Sequence, residues 1–213
     1  MKSFDLSLYL VTDRSLSLGR SLESVVAQAV EGGVTMVQLR EKDCSTLEFY
    51  QQAMLLKECL HPYSIPLIIN DRLDIALACD AEGLHIGQSD MPYDIARKLL
   101  GKDKIIGLSV ECLQDAVDAN ELDVDYIGIS PVFGTPTKTD TAPALGLEGI
   151  REIVKISRHP AVGIGGINQA NAADIIEAGA DGISVVSAIM SASDPKQAAF
   201  QLMNIIQKSK INI

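Results

Sequence analysis

Eight short apolar runs recur along the 213 residues, and each is followed by a stretch whose apolar residues return about every 3.6 positions. That alternation predicts an α/β fold, a single-domain (β/α)8 TIM barrel over residues 1–213. Two further observations point the same way. No linker, low-complexity tract or shift in composition divides the chain. The first run also passes into Thr12-Asp13-Arg14-Ser15, not into the GxGxxG turn of an open, doubly wound sheet.

In chain order the expected strands are LYLVTD (8–13), MVQLRE (36–41), PLIIND (66–71), GLHIG (83–87), IIGLSV (105–110), YIGISPVF (126–133), AVGIGGI (161–167) and GISVVSAI (182–189). Helical periodicity fills the intervals, most clearly in SLESVVAQAVEGG (21–33) and NAADIIEAGA (171–180). Ser21, Asn171 and Asp194 are expected N-caps, because a short polar side chain there can accept from a free backbone N–H. Gly32-Gly33 and Gly179 fall just past helical patterns, where a left-handed residue ends a helix.

Hydrophobic residues at 47% and charged residues at 22% are the balance of a folded globular chain. With no Trp and few other aromatics, the core must be built from Ile, Leu, Val and Ala, which suits a parallel sheet covered on both faces. A net charge of −10, with no basic stripe, argues against nucleic acid and anionic membranes as partners. Any phosphate site must therefore gather its own cations. Cys44, Cys59, Cys79 and Cys112 show no CxxC spacing and read as reduced thiols. The opening MKSFDLSLYLVTDR lacks a signal-peptide pattern, and no apolar run reaches the roughly 18 residues of a membrane span. A cytoplasmic protein is expected.

In a barrel of this type the reacting groups come from the C-terminal ends of the strands. Strand 2 ends in Gln38-Leu39-Arg40-Glu41-Lys42, strand 3 in Asn70-Asp71-Arg72, and strand 4 runs into Gly87-Gln88-Ser89-Asp90. Strand 5 carries Ser109, strand 6 opens into Gly134-Thr135-Pro136-Thr137-Lys138, strand 7 ends in Gly165-Gly166-Ile167, and strand 8 carries Val186-Ser187. Gln38, Arg40 and Lys42 alternate, so all three face one side, the barrel interior. Two cations there call for an anionic ligand, unless Glu41, Asp71 or Asp90 neutralises them. Asp71 and Asp90 end neighbouring strands. Paired carboxylates with phosphate oxygens suit Mg2+, which takes few protein ligands, although each could instead cap the helix that follows.

The loop GTPTKTDTAPALG (134–146) is longer than a minimal connection and reads as a binding loop or lid. Its threonines and backbone N–H groups can donate to phosphate, and Lys138 adds charge. Gly166 and Val186-Ser187 match the phosphate site that such barrels build from their last two loops. His85, within a strand, reads as packed or hydrogen-bonded. Asp13 and Arg14 receive no distinct role.

Together YLVTDR, VQLREK, LIINDR, GLHIGQSD, IIGLSV, GISPVFGTPTK, GIGGI and GADGISVVSAI resemble the thiamine phosphate synthase family, from about residue 8 to residue 190. The resemblance implies a transferase that condenses 4-amino-5-hydroxymethyl-2-methylpyrimidine diphosphate with thiazole phosphate, releasing pyrophosphate. It implies that Gln38, Arg40, Lys42, Asn70 and Lys138 bind the pyrimidine diphosphate with Ser109 against it. Leu39 and Glu41 belong to the same substrate-binding stretch. Catalytic weight falls on Arg40, Lys42, Ser109 and Lys138, and Asp71 and Asp90 hold Mg2+. Thr135, Pro136, Thr137, Gly166, Val186 and Ser187 match the thiazole-phosphate positions. Ser130 departs from the Gly often found before Pro-Val-Phe. A related thiazole tautomerase or a non-catalytic phosphate-binding barrel are the competing readings, and neither needs the intact diphosphate half. The expected partners are these small molecules, with assembly into a homo-oligomer left open.

Overall fold

Every apolar run becomes a short parallel strand, and nearly every strand residue is buried, because helices cover one face and the barrel interior closes the other. The computed structural model describes residues 4–134 and 143–211. The order is β1 (Leu8–Val11), α1 (Leu22–Glu31), β2 (Met36–Leu39), α2 (Thr46–Leu60), β3 (Leu67–Asn70), α3 (Leu73–Ala78), β4 (Gly83–Ile86) and α4 (Tyr93–Leu100). It continues with β5 (Ile105–Val110), α5 (Leu113–Ala119), β6 (Tyr126–Ile129), α6 (Gly146–Ile156), β7 (Ala161–Ile164), α7 (Ala172–Glu177), β8 (Gly182–Val185), α8 (Ser187–Met190) and α9 (Pro195–Ile211). Each strand pairs with the next, and β8 returns to β1, so the sheet is a closed (β/α)8 barrel.

Most strands stop short of the lengths read from the sequence. β6 ends at Ile129, where the apolar run suggested 133. The remainder of that run lies over the end of β7 instead: Val132 N donates to Ile164 O at 2.8 Å and Phe133 N to Gly165 O at 3.1 Å. Likewise β8 ends at Val185, and the continuing apolar residues form the extra turn α8. Hydrophobic sequence reports burial, not membership of the ladder. The expected caps hold at Ser21, which accepts from Ser24 N, and at Asp194, which accepts from Gln197 N. Asn171 begins α7 without capping it; its side chain reaches back to Asn168 N and Gly166 O.

Alternation along the strands divides the core in two. Leu8, Leu10, Val37, Leu39, Leu67 and Ile69 pack outward against the helices. Leu6, Tyr9, Met36, Ile68, Ile105, Tyr126 and Val162 fill the interior. The Tyr126 ring fits only because its neighbour on β5 is Gly107, where an added Cβ would lie 2.1 Å from Tyr126 Cζ. This filling makes the barrel a solid support beneath its C-terminal mouth. Arg20 then fixes the last loop: its guanidinium donates to Met190 O at 2.7 Å and Ala192 O at 2.8 Å. α9 lies against α1 and α7 and closes the outer layer.

Candidate active site

Above the apolar filling is a cavity of about 520 Å³, within the size range of small-molecule sites. Its walls carry Gln38, Arg40, Lys42, Asn70, Asp71, Asp90 and Ser109 on one side and Gly166, Val186 and Ser187 on the other. Alternation survives past the end of β2: Gln38, Arg40 and Lys42 all reach the cavity although the strand stops at Leu39. By the same alternation Leu39 and Glu41 point away. Leu39 is fully buried among the outer core residues, and Glu41 holds Arg14 through hydrogen bonds of 3.2 and 3.0 Å. Their side chains do not line the cavity. Thr135, Pro136, Thr137 and Lys138 lie outside the described residues.

The cations have partners. Lys42 Nζ donates to Asp71 Oδ2 at 2.8 Å, and Arg40 faces Asp13 at 3.9 Å. The second distance is too long for a hydrogen bond, so Asp13 does not engage the guanidinium donors. Asp13, which the sequence left without a role, supplies that loose counter-charge.

Neither Asp71 nor Asp90 caps a helix. α3 starts after Arg72 and α4 after Pro92, and no side chain caps either one. Asp71 instead sits in a left-handed turn (φ 60°), held by its N–H donating to His85 O at 2.9 Å. Asp90 Oδ2 accepts from Gly87 N at 2.7 Å. Burial raises the Asp90 pKa, and the neighbouring Asp71 charge adds to the rise. Among the described residues no group of three or more His, Cys, Asp or Glu is arranged around a metal. Two hard carboxylates beside a phosphate site are nevertheless the donor set that suits Mg2+, which retains water and substrate oxygens as its other ligands.

The opposite wall is backbone. Gly165 (φ 105°) and Gly166 (φ 65°) adopt conformations that other residues rarely take. A Cβ on Gly166 would also lie 2.8 Å from Gly134 O. Ser187 begins the single turn α8, whose first N–H groups have no partner within the helix.

The floor was not legible as a site. Tyr9, His85 and Ser184 line it, with Tyr126 just beneath. Their signal was parity: each occupies the inward register shared with Gln38 and Asn70, but Tyr and Ser inside apolar runs read as core. Burial lowers the His85 pKa to about 4, so the imidazole is neutral at pH 7. The unfolded chain, at 6.5, takes up a proton that the native state refuses. Stability therefore falls as pH drops from 6.5 toward 4, by about 2 kcal/mol between pH 7 and 5. Urea unfolding at the two pH values should show this loss in the wild type and a smaller one in His85→Gln; equal losses would contradict it.

Ser184 Oγ is a buried side-chain oxygen with no hydrogen-bond partner among the described residues. An unmet buried hydroxyl opposes folding, so Ser184→Ala should leave the thermal midpoint unchanged or raise it. A midpoint several degrees lower would show that the hydroxyl is satisfied in solution.

Fold and pocket together define the class: a (β/α)8-barrel enzyme with its polar groups ringing the C-terminal mouth of the strands. The family model described as thiamine monophosphate synthase matches residues 8–189. A thiamine-phosphate synthase of Albidiferax ferrireducens is 55% identical over 201 residues, 94% of this chain and 92% of that one. One from Syntrophomonas wolfei is 53% identical over 209 residues, 98% of this chain and 100% of the other. The solved thiamine phosphate pyrophosphorylase of Pyrococcus furiosus superposes with a TM-score of 0.88 at 39% identity, covering 96% of each chain. A 3-hexulose-6-phosphate synthase, at 17% identity and a TM-score of 0.70, shares the fold alone. The chain belongs to the thiamine monophosphate synthase family. It is a transferase of the condensation that produces thiamine phosphate. Among the described residues no helix is long and apolar enough to cross a membrane.

Proposed function

We propose that the cation-and-carboxylate wall binds 4-amino-5-hydroxymethyl-2-methylpyrimidine diphosphate and that the glycine wall binds thiazole phosphate. The supporting observation is that Asp71 and Asp90 cap nothing and stand beside Arg40 and Lys42, in one cavity with Gly166 and Ser187. The family works with a metal ion; Mg2+ on Asp71 and Asp90 would neutralise the diphosphate and the charge that grows on it as it leaves.

The residues then divide the work. Lys42 is already paired with Asp71 and moves onto a phosphate oxygen when the diphosphate enters. Arg40 offers a planar pair of donors to a second oxygen, and Lys138 adds a third positive charge. Asn70 and Gln38 orient the pyrimidine, with Ser109 against it. Backbone N–H groups at Gly166, Val186 and Ser187 hold the thiazole phosphate, with Thr135, Pro136 and Thr137 on the same substrate.

The bond between the pyrimidine methylene and the diphosphate oxygen breaks, and its electron pair leaves with pyrophosphate. The amino-substituted ring delocalises the positive charge left on the methylene carbon. The thiazole nitrogen donates its lone pair to that carbon, and the new bond makes a thiazolium. No proton is removed from the nucleophile, so a neutral, buried His85 is compatible with the reaction. Electrostatic neutralisation and positioning are the whole of the catalysis.

Incubation with both substrates and Mg2+ should yield thiamine phosphate by mass, with one pyrophosphate released for each. Interconversion of thiazole phosphate tautomers without the diphosphate, and no coupling, would point to an isomerase and overturn the assignment.

A further inference from the structure

Across the pocket floor, on top of the apolar filling, runs an unbroken line of polar side chains. Gln38 Nε2 donates to Tyr9 Oη at 2.7 Å, and Tyr9 Oη meets Tyr126 Oη at 2.8 Å. Tyr126 Oη meets His85 Nδ1 at 2.9 Å, and His85 Nε2 meets Ser109 Oγ at 2.9 Å. The line starts on β2, crosses the barrel through β1, β6 and β4, and ends on β5. Both end residues, Gln38 and Ser109, line the cavity.

Each middle link has one proton to give: one O–H on each tyrosine and one N–H on the neutral imidazole. Tyr9 accepts from the amide, so its own proton goes to Tyr126. The proton of Tyr126 goes to His85 Nδ1, which places the imidazole proton on Nε2, facing Ser109. The Ser109 proton is then left for the pocket, while Gln38, with its NH2 turned inward, shows the pocket its amide oxygen. Reversing a single link would bring two protons or two lone pairs face to face in a buried contact, and that is more costly than a missing hydrogen bond. Only the whole line can reverse. What Gln38 and Ser109 offer a ligand is therefore set jointly.

We propose that Tyr9, Tyr126 and His85 are positioning residues that act through Gln38 and Ser109, holding an acceptor on one wall and a donor on another so that the substrate ring is selected by its amine. This rests on the assignment of the pyrimidine to Gln38 and Ser109. A 4-aminopyrimidine has an N–H donor at C4 and a lone pair on N1 across the ring, which fits an acceptor at Gln38 and a donor at Ser109. A ring with a carbonyl in place of the amine sets acceptor against acceptor and is rejected.

Two measurements test it. Two-bond 1H–15N NMR of the substrate-free protein, with His85→Gln to assign the signal, should find the His85 proton on Nε2 and Nδ1 bare. Tyr126→Phe cuts the line. Its KM for the pyrimidine diphosphate should rise about tenfold, the worth of one hydrogen bond, while kcat moves less than about threefold. The KM for thiazole phosphate should stay as in the wild type, and discrimination against the 4-oxo analogue should fall about tenfold. A wild-type imidazole protonated on Nδ1 overturns the proposal. So does a folded Tyr126→Phe with unchanged KM and discrimination. Should that variant not fold, the wild-type tautomer still decides the direction of the line. A wild type that never turns over the pyrimidine diphosphate overturns the ring selection, whereas normal wild-type turnover with an unmoved variant overturns the relay.

Discussion

Asp71→Asn and Asp90→Asn should each lower turnover about a thousandfold, or about 4 kcal/mol of transition-state stabilisation, at saturating substrate and moderate Mg2+. Asparagine is the informative replacement at both positions. At 71 the backbone is left-handed (φ 60°), a conformation that Asn tolerates better than Ala, so the turn survives. At 90 the amide oxygen can still accept from Gly87 N, which holds the loop in place. Only the negative charge is lost. Steady-state kinetics over a Mg2+ titration, with circular dichroism to confirm the fold, make the measurement. A chelator should reproduce the loss in the wild type, and readdition of metal should reverse it. Rates within threefold of the wild type in either variant would remove the metal from these carboxylates.

Arg40→Ala should reduce kcat/KM for the pyrimidine diphosphate about a hundredfold or more, the effect of removing one preorganised donor aimed at a growing negative charge. Arg40 is suited to that task because, among the described residues, its carboxylate partner on Asp13 stands 3.9 Å away, too far for a hydrogen bond. Arg40→Lys should recover only part of the loss, since a point charge cannot bind two phosphate oxygens in one plane. Lys42 differs: it must first leave Asp71, at 2.8 Å. Its replacement by Ala should therefore be less damaging at high Mg2+, where the metal takes over the freed carboxylate. Equal kinetics for Arg40→Ala and wild type would mean that the diphosphate binds elsewhere.

These effects can be separated because the site stands on elements that were readable in different degrees. The strands were legible because a parallel sheet buried on both faces writes near-continuous apolar sequence, as in IIGLSV at β5, whose bounds agree between sequence and structure. Their ends were not, because Val132 and Phe133, past the end of β6, are apolar for packing against the core while their N–H groups bond to Ile164 O and Gly165 O. The rim was legible from parity and charge: Gln38, Arg40 and Lys42 do share the cavity, and Asp71 and Asp90 do meet there. Parity also gives the reason that Leu39 and Glu41, between those residues, face away. What sequence could not weigh was pairing across space. Nothing local to Asp13 says that it faces Arg40, and nothing local to Tyr9, 117 positions from Tyr126, says that their hydroxyls meet.

A crystal of the protein grown with pyrophosphate and Mn2+ in place of Mg2+ tests the central claim most directly. An anomalous peak should stand between the Asp71 and Asp90 carboxylates, with pyrophosphate oxygens on the metal and on the Arg40 and Lys42 side chains. Manganese bound away from both aspartates, or pyrophosphate seated on the Gly166–Ser187 wall with none on the other, would contradict the account.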